Sequence, residues 1–116
     1  MKASVTVQGY PICAEITPLD EGIHVLLTGG IKTHIGSMSV AEPDGPEQAI
    51  TLPHHREDVV ARQWASALSA RFQCRVAVVC GIHYDNLTPS GLQEVLRGIE
   101  SLFPRVVELL ESSIPE

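Results

Sequence analysis

The sequence holds no C-x-x-C pair, no long apolar run and no surplus of positive charge, and each absence removes a class of function. Its three cysteines, Cys13, Cys74 and Cys80, form an odd set without metal-ligand spacing, so neither a disulfide framework nor a four-thiolate zinc site is expected. They read as small apolar side chains in a reducing compartment. The longest apolar run, 76–80, falls far short of the roughly 20 residues that span a bilayer. No apolar signal segment follows Met1-Lys2, and the expectation is a cytoplasmic protein with no membrane partner. Eight Lys and Arg stand against fourteen Asp and Glu, a net charge of -6. That balance argues against a general nucleic-acid binder while leaving room for a local anion site. Walker and dinucleotide fingerprints are missing, and so is the H-x-x-x-H spacing of a helical metal site. Ser37 and Ser39 lack a nucleophile-elbow context, and Cys80 falls in an apolar strand where a thiolate is costly.

What remains is a chain of 116 residues with 44% apolar and 19% charged side chains. This fits one ordinary globular domain over 1–116. A chain of this size buries roughly two-thirds of its unfolded surface and needs no disulfide or structural metal.

The first half reads with a period of two. Ile12, Ala14 and Ile16 alternate with Cys13, Glu15 and Thr17, and after Asp20-Glu21-Gly22 a second run places Ile23, Val25 and Leu27 on one face, which predicts a β-hairpin. Residues 3–8 extend or precede the first strand, with Gly9 and Pro11 as a bulge or kink. A further strand is expected over 35–41, ended by the turn cluster 42–46, and a short one over 49–52. The period then becomes helical: Val60, Trp64 and Leu68 form a stripe for a helix over about 57–73. Residues 75–82 form the clearest strand, and its unalternating apolar run implies a central place covered on both sides. Thr88-Pro89 opens a second helix, which Pro104 is expected to break or kink, leaving a short final helix. The order implies an α+β two-layer sandwich, a mostly antiparallel sheet with helices on one face. A homodimer packed sheet on sheet would then supply the second cover for 76–80.

Three segments carry candidate chemistry: 28–36 with Gly29, Gly30, Lys32, His34 and Gly36; 53–58 with His54, His55 and Arg56; and 81–88 with His83. Each lies at a boundary between an element and a loop, where ligand sites form. The glycines allow positive φ and close backbone approach to a ligand, and Gly29-Gly30 equally suits a tight turn. His34 and His83 suit a structural hydrogen bond as well as a ligand contact. His24 reads as structural and Trp64 as core. His34, His55 and His83 together would supply a three-histidine metal site with an open position.

Taken together, Thr28-Gly29-Gly30-x-x-x-His34-Ile35-Gly36, then His55 followed by Arg56 and the acidic Glu57 and Asp58, then Gly81-Ile82-His83-x-x-x-x-Thr88, resemble the LpdD-like family, the small D subunit associated with gallate decarboxylase. The resemblance covers about 10–110. It implies a prenylated-flavin chaperone, an accessory protein that carries prenylated FMN from a flavin prenyltransferase to a UbiD-type decarboxylase. Such a carrier needs an anion site and an apolar wall. The expected cofactor-binding set is Gly29, Gly30, Lys32, His34, Gly36, His55, Arg56 and His83, with Ile31, Ile35, Ile82 and Tyr84 for the wall. A divalent metal on His34, His55 and His83 is a second expectation, and a metal-dependent enzyme or a ligand-free decarboxylase subunit are the rival functions. Two positions depart from the family pattern: Lys32-Thr33 stands where a polar-Pro pair is expected, and Asp85 adds a carboxylate beside His83.

Overall fold

Two tight turns set up the first three strands. The computed structural model describes residues 1–45, 47–52 and 58–113. Strand β1 (Lys2–Val7) and strand β2 (Tyr10–Leu19) are joined by Gln8 and Gly9 alone, with φ of 53° and 79°. Two positive φ values in a two-residue loop match the twist of antiparallel neighbours, so Gly9 serves a hairpin turn and Lys2–Val7 is a strand of its own. Asp20 and Glu21 then link β2 to β3 (Gly22–Gly30), with Leu19 opposite Gly22. Strands β4 (Ser37–Ala41) and β5 (Gln48–Thr51) follow, then helix α1 (Asp58–Phe72), strand β6 (Val76–His83) and helix α2 (Pro89–Ser113).

The six strands form one sheet in the order β1-β2-β3-β6-β4-β5. Only β3 and β6 pair in parallel; the other neighbours are antiparallel. Both helices cover one face, α2 over β1 and β2, and α1 over β4, β6 and β5, which is the expected α+β two-layer arrangement. The core on the sheet is the helix-side set of five strands, β5 contributing none: Ala3 and Val7, Ile12, Ala14 and Ile16, Ile23, Val25 and Leu27, Ala41, and Val76, Val78 and Cys80. Burying one such Val, Leu or Ile contributes roughly 1.5–3 kcal/mol. Trp64 of α1 meets Phe103 of α2 at 5.4 Å between ring centroids, closing the helical layer. Of the cysteines only Cys80 is fully buried; Cys13 and Cys74 are half-buried, and no disulfide joins the three.

Two expectations need correction. Helix α2 runs through Pro104 as one 25-residue element. The proline removes a hydrogen bond to Glu100, but both residues are exposed, so water can reach the freed carbonyl. The buried face of Val95, Ile99, Leu102, Val106 and Leu110 continues past it, and that burial outweighs a cost of about 3 kcal/mol. Strand β6 is central as expected, yet among the described residues only one of its faces is covered by helix. On the open face Ala77 and Val79 are half-buried. Here Leu26 pairs with Val79, Val79 with Met38, and Met38 with Ile50, an apolar row across four strands. Met38 and Ile50 in that row are exposed.

The β5 end of the sheet is tied to α1 through Glu47, whose carboxylate accepts from Arg62 Nε and from Ser66 Oγ at 2.7 Å. The hydrogen bonds from Arg62 and Ser66 hold this carboxyl below its ordinary value. A lowered folded-state value means that the contribution is present above the ordinary carboxylate range and lost as pH falls through it. Glu47→Gln is therefore expected to lower the melting temperature at neutral pH. The difference from the parent should shrink on acidification, as read by circular dichroism melts across the acid limb. A difference that stays constant with pH would show that the carboxylate charge is not what ties β5 to α1.

Candidate functional site

Gly30 and His83 are register partners and end the two parallel strands at the same edge of the sheet. Three residues connect α1 to β6 and five connect β6 to α2, so both helices also begin at this edge. In open sheets, the carboxyl ends of parallel strands are where connections part and sites form. The chain leaving β3 has to reach β4 on the far side of β6, so residues 31–36 cross the end of β6 as a strap. Two backbone bonds fasten it: Ile31 N–H donates to His83 C=O at 2.8 Å, and Gly36 N–H to Cys80 C=O at 2.9 Å. Leu52 N–H donates in turn to Gly36 C=O at 2.9 Å.

The glycines make this crossing feasible. A Cβ at Gly81 would stand 1.6 Å from the His34 carbonyl oxygen, and one at Gly30 would stand 1.9 Å from the His83 carbonyl oxygen. Gly30 also has φ of 85°, whereas Gly29 and Gly36 do not adopt positive φ. A Cβ at Gly29 would meet Ile12 at 2.9 Å. The close approach read from the sequence is thus an approach of the chain to itself, and the N–H groups of Ile31 and Gly36 are already used by sheet carbonyls. These positions act on the site through what they hold in place. Gly81 was quoted above only as part of a motif; the signal for its role is a glycine inside an apolar strand, which marks close backbone approach.

Alternation along β6 puts His83 on the open face, opposite to Ile82. The strap brings His34 to it: the two imidazole centroids are 6.3 Å apart at 81°, edge to face. His83 Nε2 lies 2.8 Å from Asp85 Oδ1. Ile31 and Ile35, either side of His34, are 40% and 55% exposed, and Lys32 between them is exposed as well. Ile82 and Tyr84 go elsewhere, because both pack against the core on the helix side. The Tyr84 hydroxyl donates to Val7 C=O at 2.9 Å, and burial pushes its pKa up. Those two side chains therefore do not share a face with His83. His54, His55, Arg56 and Glu57 lie outside the described residues.

Among the described residues no group of three His, Cys, Asp or Glu side chains is arranged to hold a metal ion, and no helix is long and apolar enough to cross a membrane. Ser37 and Ser39 are buried on β4, and among the described residues their hydroxyls meet no partner. A cavity of about 400 Å³ lies at the opposite edge of the sheet, lined by Leu19, Glu21, Ile23, His24, Arg75 and Ala77 among others. It contains none of the three motifs. Its one cation, Arg75, is engaged by Glu42, so the size of the hollow is not matched by a group that would fix a ligand.

These features define a class: a small α+β domain whose loops at the carboxyl ends of two parallel strands present paired imidazoles beside exposed apolar side chains. The chain belongs to the prenylated flavin chaperone LpdD-like domain family, whose pattern matches residues 6–111. Among curated proteins, none matches this sequence. In fold it is similar to a chain in the crystal structure of a chaperone complex for yeast 20S proteasome assembly. The TM-score is 0.53 at 20% identity, covering 97% of this chain and 95% of that one. The strap fits the group that the family description names, since His34 and His83 supply hydrogen-bonding nitrogens and Ile31 and Ile35 supply exposed apolar surface for a ring system.

The strap can be tested without a ligand. Gly81→Ala forces a Cβ into the His34 carbonyl, and overpacking of this kind typically costs about 1–3 kcal/mol. The substitution should lower the midpoint of chemical denaturation and remove the nuclear Overhauser contact between the His34 and His83 rings. A variant that keeps that contact and the parent stability would show that the strap does not depend on this approach.

Proposed function

We propose that this chain carries prenylated FMN between a flavin prenyltransferase and a UbiD-type decarboxylase, and that His34 and His83 with their strap form the holding site. Membership of a prenylated flavin chaperone family supports the reading. The observation that carries it is the strap itself, where exposed Ile31 and Ile35 flank a histidine set edge-on to a second histidine. A carrier has to offer an apolar wall and polar anchors with few groups that react with its cargo. Ile31 and Ile35 serve the ring system, and His34 and His83 the polar portion. Gly29, Gly30 and Gly36 hold the backbone beneath them. Bound prenylated FMN supplies electron-sink chemistry to the decarboxylase that receives it. His55 and Arg56, adjacent to α1 in sequence, are assigned to the phosphate on their motif, with Lys32 as a weaker contributor. The metal-dependent alternative needs His55 as its third ligand, which lies outside the described residues, and among those described no group of three ligands is arranged to hold a metal ion.

The working unit in this proposal is a homodimer. The row Leu26, Val79, Met38 and Ile50 is apolar on a face no helix of this chain covers, while the β1–β2 half of the same face carries the Lys2–Glu15 ion pair and hydroxyls. An apolar patch rimmed by polar residues marks an association surface, and a second copy offers the same row by two-fold symmetry. Light scattering should report a dimer for the parent and a monomer for Met38→Glu, which places a charge in the row without disturbing a buried side chain. A parent that stays monomeric up to millimolar concentration removes the dimer.

Cofactor binding separates the roles of the two cations. Arg56 has a planar fork able to grip two phosphate oxygens, whereas exposed Lys32 keeps its hydration. Losing a charge-assisted hydrogen bond costs roughly 1.5–3 kcal/mol, about tenfold to a hundredfold in affinity. Arg56→Ala should weaken FMN binding by that factor in a titration at matched salt, and Lys32→Ala should stay within about threefold. Equal affinity of Arg56→Ala and the parent would move the phosphate to another part of the chain.

A further inference from the structure

We propose that Asp85 is a positioning residue that holds His83 as its Nε2–H tautomer. Nδ1 then becomes a hydrogen-bond acceptor for a hydroxyl or ring N–H of the ligand. The proposal deepens the carrier reading and rests on it for the ligand, but it assigns the histidine pair to the polyol or heterocycle and away from the phosphate.

A carboxylate oxygen accepts and does not donate, so the 2.8 Å contact to Asp85 Oδ1 requires a proton on His83 Nε2. In the neutral imidazole the other nitrogen then carries a lone pair, and the partner of one ring nitrogen decides what the second can do. Both side chains are partly exposed, and it is His83 and the residues on either side of Asp85 that their neighbours hold. The His83 carbonyl accepts from Ile31 N–H at 2.8 Å. Tyr84 is anchored through its hydroxyl to Val7 C=O, and Asn86 adopts φ of 54°. Thr88 then caps α2 by accepting from Gly91 N–H at 3.0 Å. The turn carrying Asp85 is thereby fixed at both ends, and the edge-on ring of His34 limits rotation of His83. Charge points the same way. A carboxylate in contact with the ring repels an approaching phosphate, and the cation on the strap, Lys32, is exposed. The favoured guest of this cluster is a neutral donor.

The full-length protein with 15N-labelled histidine provides the first readout, since long-range proton–nitrogen correlation spectra report which ring nitrogen of His83 carries the proton. The parent should show Nε2–H, and Asp85→Asn, whose amide can either accept or donate, should show a mixture of both tautomers. Riboflavin and FMN titrations provide the second. Asp85→Asn should weaken both by about tenfold, the loss of one well-placed hydrogen bond, and leave the ratio of the two affinities unchanged. Asp85→Glu should recover part of the loss, with circular dichroism confirming the fold of each variant. An Nδ1–H parent overturns the proposal. So does an Asp85→Asn variant that binds FMN more tightly with riboflavin unchanged, because the cluster then holds the phosphate, and so does a variant with neither affinity altered. If the parent binds neither flavin, the carrier reading and the ligand assignment built on it both fall. The tautomer spectra then still decide the positioning role: a mixture in Asp85→Asn sustains it and an unchanged Nε2–H defeats it.

Discussion

The contact on which the rest of this molecule depends is the seating of the His34 carbonyl on Gly81. Strand order β3-β6-β4 obliges the chain to pass over the end of β6 immediately after β3, and a side chain on β6 at that point would block the passage. With glycine there, the strap lies close enough for Gly36 to bond Cys80 and for Leu52 to bond Gly36. Those bonds start β4 and end β5 in register. One missing Cβ thus sets the placement of two strands and of the histidine between them. Gly30 answers the same demand from below, turning the chain with a positive φ while the His83 carbonyl occupies the space its Cβ would take.

Energetics distribute differently from geometry. The strap is fastened by a few hydrogen bonds, each a modest net contribution of about 1 kcal/mol, whereas the body is held by the helix-side core. The path of α2 through Pro104 shows which term governs. Backbone propensity argues for a break at Pro104, and the unbroken buried stripe from Val95 to Leu110 overrides it because the proline itself faces water.

The fold was legible where burial and period coincide. The hairpin, the central strand 76–80 and the start of α2 all announce themselves through alternation, an apolar run or a Thr-Pro cap. Pro104 was misread because a sequence rule about hydrogen bonding does not say which side of the helix the proline occupies. At the site, His34 and His83 were legible as motif residues, but their meeting depends on the strap and on strand order, which no local pattern encodes. Ile82 and Tyr84 are expected, with Ile31 and Ile35, to form an apolar wall beside the histidines. The two-residue period of a strand sends them to the opposite face, so adjacency along β6 argues against shared surface. The glycines illustrate a similar limit: sequence reveals that backbone must come close, but not that its partner is the protein's own carbonyl group. His55 and Arg56 stay a matter of motif alone, outside the described residues.

The two faces of the sheet differ in what covers them. All the helical surface is consumed on one side, so whatever this chain meets through its sheet it meets on the other. On that side Val79, Gly81 and His83 follow one another along β6 at the spacing of alternate strand residues, about 6.6 Å per step. The apolar row through Val79 therefore lies about 13 Å from His83, with the strap crossing at Gly81 between them. Any body large enough to cover the row reaches the strap that carries His34, Ile31 and Ile35. The apolar row and the histidine pair thus lie on one face of a single strand, joined by a strap only six residues long.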